Sequence, residues 1–123
     1  MNAERLKTAR RLVACPKWVW LPGMAARGIS GMTVFGRIRE EQYVPPGTLL
    51  PDLDDDLTRA GVLAVVRRAW DHPRLGIVAG RVGIWCVSEP RKDEDTHPLA
   101  VALRWQASTE EDALLAALEA ATT

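Results

Sequence analysis

Four aspartates, Asp52, Asp54, Asp55 and Asp56, stand within five positions of the stretch LPDLDDDLTRAGVLAVVRRAWDHP. Carboxylates this dense could hold a divalent cation. A calcium loop, however, needs ligands at graded spacing, a glycine turn and a distant bidentate carboxylate. The segment DLDDDLTRAG has no closing glutamate. The aspartates read instead as a helix start, where they accept bonds from free N–H groups and face the positive end of the dipole. The two histidines, His72 and His97, each precede a proline. They match no zinc spacing, and no C-x-x-C pair accompanies them. Cys86 falls on the strand face of Val82 and Ile84 and reads as a small core hydrophobe. Cys15, expected to be the more exposed thiol, has no base in view. Ser30, in GISG, lacks the strand-turn-helix setting of a nucleophile elbow. Ser108 reads as a helix cap, with Glu111 completing a capping box. No phosphate-binding glycine motif is present. The expectation is a protein that is not an enzyme, with no catalytic residue, metal or cofactor.

The five tryptophans are the most informative side chains. Trp70 lies on a helical apolar stripe, and Trp105 shares a strand face with Val101 and Leu103; both read as core. Trp18 and Trp20 alternate in KWVWLPGM, a segment that begins at Lys17. Arg37 and Arg39 share one face of the following candidate strand. Tryptophan and arginine dominate interface hot spots, so Trp18, Trp20, Arg37 and Arg39 form the expected binding site. Aromatics among arginines also suit the stacking of single-stranded nucleic acid. The competing expectation is that helices cover this face and the indoles are packing.

Formal net charge is zero, but unevenly distributed. Residues 1–39 hold eight Lys/Arg and one acid; residues 40–123 hold eight Lys/Arg and fifteen acids. That asymmetry fits either a basic nucleic-acid face or two halves that neutralise each other on folding. With 123 residues, 47% of them hydrophobic and 26% charged, the chain reads as one globular domain spanning 1–123. No apolar run approaches the ~20 residues that cross a bilayer. The N-terminal MNAERLKTARRLVACP carries charges throughout and does not read as a signal peptide. Together with two lone cysteines, this leads to an expectation of a cytoplasmic protein with free thiols.

The elements expected to position these residues follow from periodicity. Residues 3–13 read as a helix capped by Asn2 and stopped by Pro16. Residues 17–24 and 32–39 read as an antiparallel strand pair joined by an AARGISG loop, with residues 40–51 as a proline-rich connection. Residues 54–70 read as the most buried helix, its stripe made of Leu57, Ala60, Leu63, Ala64, Val66 and Trp70, widened by Val62, Val65 and Ala69. Residues 75–79 and 82–88 read as a hairpin, 99–106 as a strand and 108–121 as a helix. The expected fold is α+β, in the order α-β-β-α-β-β-β-α, with one antiparallel sheet of about five strands and three helices on one face.

Three segments, ARRLVACPKWVWLPGM, LPDLDDDLTRAGVLAVVRRAWDHP and TEEDALLAALEAA, together resemble a family of small proteins encoded by bacteriophages and prophages of GC-rich bacteria. Thirteen arginines to three lysines fit such a genome. The resemblance implies no activity and no catalytic residues. It implies a binding role inside the host cell, for instance inhibition of a host system. The leading expectation is therefore a non-enzymatic phage-type binding protein contacting a host or phage protein, or a second copy of itself as a homodimer. The alternative is a nucleic-acid binder that uses the basic first third. No membrane contact is expected.

Overall fold

The computed structural model describes residues 1–30, 32–42, 44–45, 47–80, 83–89 and 103–121. In chain order the elements are α1 (Ala3–Ala14), β1 (Ala25–Gly28), β2 (Val34–Arg37), β3 (Leu49–Pro51), α2 (Asp56–Ala69), β4 (Gly76–Ala79), β5 (Trp85–Ser88), β6 (Leu103–Ala107) and α3 (Glu110–Ala120). The class is α+β with three helices, as expected. The single five-stranded sheet is not found. The described strands form two three-stranded antiparallel sheets, ordered β2-β1-β3 and β4-β5-β6.

The difference arises in the first half. AARG, expected as loop, is the central strand of the first sheet. Alanine and glycine carry little strand propensity, and here tertiary pairing on both sides overrides it. Leu49–Pro51, expected within a connection, supplies the third strand. Residues 17–24, expected as a strand, lie in no named strand; a single bridge joins Trp20 to Gln42. The segment 99–102 of the expected last strand lies outside the described residues, as do Tyr43, Arg81 and His97.

Each helix begins as its residues dictate. The Asn2 side chain accepts from Arg5 N at 2.8 Å. Asp55 caps α2, accepting from Thr58 N at 3.0 Å. Thr109, rather than Ser108, caps α3, accepting from Asp112 N at 3.2 Å. The buried stripe of α2 runs through Thr58, Val62, Val65 and Val66. It is centred on residues read as the stripe's flank, and Leu57 is 55% exposed. The core joins Leu12 and Val13 of α1, Val62, Val65 and Val66 of α2, and Leu114, Leu115 and Leu118 of α3 to Trp20, Leu50, Leu53 and Leu75. α3 packs against both other helices and against β5 and β6. Trp70 and Trp105 stack with centroids 5.0 Å apart, and the Trp70 indole donates to Ala117 O at 2.8 Å.

Gly61 marks a close approach. A Cβ there would lie 2.9 Å from both Cγ and Cε of the buried Met24. Gly61→Val is expected to destabilise by about 1–3 kcal/mol through overpacking, read as a lower urea midpoint at unchanged slope.

Candidate binding surface

Three of the four aspartates, Asp52, Asp54 and Asp55, are engaged by arginines from the first 39 residues. Arg5 Nη1 lies 2.7 Å from Asp54, and its Nε lies 2.9 Å from Glu111. Arg27 Nε lies 3.1 Å from Asp52. Arg37 holds Asp55 through two bonds of 2.8 Å. Asp56 pairs with Arg59, and Arg11 pairs with Glu119. So Arg5, Arg11, Arg27 and Arg37, four of the eight cations in residues 1–39, meet carboxylates from residues 52–119. Arg37 holds the Asp55 carboxyl well below the usual carboxylate range, helped by the Thr58 hydroxyl. Arg5 also lowers the Asp54 carboxyl from its ordinary value through their hydrogen bond. Among the described residues no group of three or more His, Cys, Asp or Glu is placed to hold a metal ion.

Lys7, Arg10, Lys17 and Arg39 form no ion pair among the described residues. Arg10 donates to Ile29 O at 3.4 Å and Lys17 to Ala69 O at 3.2 Å. Among the described residues, Arg10 and Arg39 beside the β1–β2 hairpin are thus left without a carboxylate partner.

Of the four expected site residues, Trp20 is 1% exposed and belongs to the core. Trp18 is partly buried and meets Trp20 edge-to-face, centroids 5.4 Å apart at 89°. The reason is local: without a strand at 17–24, the two indoles do not project together from a sheet. They turn into the space between the end of α1 and Gln42. There they line a cleft of about 230 Å³ with Val13, Cys15, Pro16 and Val44. The Trp18 indole N–H is buried and has no hydrogen-bond partner among the described residues. Arg37 and Arg39 line a different cleft, about 440 Å³, with Ala26, Phe35, Ile38, Glu40 and Leu49. Gln42 borders both clefts. The indoles and guanidiniums thus occupy adjoining clefts on either side of Gln42, not one shared face.

The residues that sequence reasoning missed lie on β2 and in the turn that leads into it. Met32 is 84% exposed, and Val34 and Phe35 are each 62% exposed; Ile29, at the other side of the hairpin turn, is also exposed. Among the described residues β2 has β1 on one side and no strand on the other. Ala26 pairs with Gly36 and Arg27 with Val34, so Phe35 is the extra residue of a bulge. Gly36, at φ 92°, takes the left-handed conformation the bulge requires. The Phe35 ring lies over Gly28, which has no side chain to obstruct it; a Cβ there would be 3.1 Å from the ring. The available signal was the alternation of MTVFGR, which shows a strand but not which face stays open.

Cys15 is buried, and burial pushes its thiol up to about 11, with Glu119 adding to the effect. It is expected to react with a disulfide reagent at pH 8 far more slowly in the native protein than in denaturant. Equal rates would show the thiol to be open.

No family model, curated protein or solved structure matches the chain. No described helix is long and apolar enough to cross a membrane.

Proposed function

We propose that the protein is a non-enzymatic, phage-type binding protein that contacts a protein of the host through its β2 face. The observation that carries this reading is the exposure of Met32, Val34 and Phe35 on one sheet edge, next to a cleft bordered by Arg39. Exposed apolar side chains scattered singly need no explanation, whereas a contiguous set marks a contact surface. An aromatic anchor beside an arginine is the composition of an interface hot spot. The resemblance of the quoted segments to phage proteins supports a host partner and an inhibitory role. Trp18 contributes from the adjoining cleft, and Trp20 supports the cleft from within.

The nucleic-acid reading draws on Lys7, Arg10, Lys17 and Arg39. It is weakened because Arg5, Arg11, Arg27 and Arg37 are already matched by carboxylates. The two readings separate by affinity capture from cells that make the protein, comparing wild type with Val34→Asp/Phe35→Asp. The expected result is a discrete protein partner that the double variant loses, that survives nuclease treatment, and whose recovery varies little with salt. Recovery unchanged in the variant would overturn the proposed surface. Recovery that nuclease abolishes, falling steeply with salt, would instead establish nucleic-acid binding.

A further inference from the structure

Resting on that reading, we propose that β2 binds its partner by strand addition, and that the partner segment is an extended stretch of alternating apolar residues carrying Asp or Glu. The open edge of a sheet presents unpaired N–H and C=O groups that template another strand. Here the edge can be traced. The N–H and C=O of Ile38 bond to Met24 and Gly23 at 2.8 and 2.9 Å. By alternation, the backbone groups of Arg37 point to the open side. Backbone bonds would supply register there, while Met32, Val34 and Phe35 supply apolar contact.

Charge selects the occupant. Arg10 meets Ile29 beside the hairpin turn, and Arg39 follows β2 at its base. Neither has a carboxylate among the described residues, so cations lie toward both ends of the apolar edge. A segment with acidic residues flanking an apolar middle complements that arrangement; a basic one does not.

A second copy of this chain fits poorly. Antiparallel pairing about the middle of β2 sets Val34 opposite Arg37, which carries each Arg39 toward the hairpin end where the other copy's Arg10 stands. Like charges meet, and the two bulges oppose each other. Bulges on edge strands discourage indiscriminate self-pairing while leaving a short stretch available.

The test is selection of a random dodecapeptide display library on the intact protein, with Val34→Asp/Phe35→Asp as the control surface. The expected peptides alternate apolar residues with period two, carry Asp or Glu at their ends, and shift the amide resonances of Val34, Phe35 and Arg37. Arg39→Glu should weaken them about tenfold, and proline in the middle of the peptide should abolish binding. Enrichment of basic peptides, of apolar spacing at three and four, or of nothing beyond the control would overturn strand addition. So would a concentration-dependent dimer that Val34→Asp/Phe35→Asp dissolves, which would make a second copy the occupant. If strand addition fails while the double variant still loses its cellular partner, the β2 surface stands. If the double variant keeps that partner, the surface itself is wrong.

Discussion

Trp20→Ala is expected to destabilise the protein by about 3–5 kcal/mol, the cost of removing a buried aromatic from a packed core. Trp20 is 1% exposed, sits within the apolar cluster, and is met edge-on by Trp18. An edge-to-face pair adds roughly 0.5–1.5 kcal/mol beyond the buried area, so removing Trp20 also loosens Trp18. Trp18→Ala should cost clearly less, because that ring is only partly buried. Urea unfolding of both variants checks the order. A loss under about 1 kcal/mol for Trp20→Ala would mean the indole faces solvent, as a strand at residues 17–24 would have placed it.

Asp55→Ala is expected to remove about 2–4 kcal/mol, a large effect for a surface carboxylate. Loss of an N-cap alone costs about 1 kcal/mol. Asp55 also accepts from the hydroxyl of Thr58 at 2.7 Å, and that hydroxyl accepts from Ala25 N at 2.9 Å. Thr58 is fully buried, so removing its acceptor leaves an unsatisfied donor in the core, worth about 1–3 kcal/mol. One carboxylate thus ties α2 to β1 through Thr58, and to β2 through Arg37. The pH dependence follows. The Asp55 carboxyl is depressed in the folded state, first by Arg37 and then by Thr58. Its contribution is therefore present above the unfolded carboxylate value, about 3.9, and is lost as pH falls below it. Asp55→Asn keeps a capping side chain and removes this titration. Its stability should be lower at pH 7 and should fall less steeply than wild type below about pH 4. Parallel curves for the two proteins would contradict the assignment.

What the sequence made legible was governed by local chemistry. Helix starts at Asn2 and in the aspartate run could be read because capping is a short-range requirement, as could the stop at Pro16. The hairpin of β4 and β5 alternates strongly enough to show itself. The strand Ala25–Gly28 could not be read, since small residues give no period and the strand exists only because β2 and β3 flank it. The split into two sheets followed from that omission. Within the candidate site, Arg37 lies on β2, whereas Arg39, expected on the same strand, lies beyond its end, and Arg37 is held by Asp55. The charge asymmetry could be counted; which cations would stay free could not, because pairing Arg27 with Asp52 depends on the fold bringing β1 to the end of β3. The exposed edge at Met32, Val34 and Phe35 was invisible for the same reason, as strand alternation alone does not say which neighbours a sheet provides.

The proposed contact is the open side of β2. Photo-cross-linking tests it most directly, with a benzophenone amino acid placed singly at Met32, Phe35, Leu57 or Val78 in the cells that make the protein. All four positions are exposed apolar sites, but only the first two lie on the hairpin. One discrete adduct is expected from Met32 and Phe35, and none from Leu57 or Val78. Adducts confined to Leu57 or Val78, or the absence of any adduct from the hairpin, would contradict it.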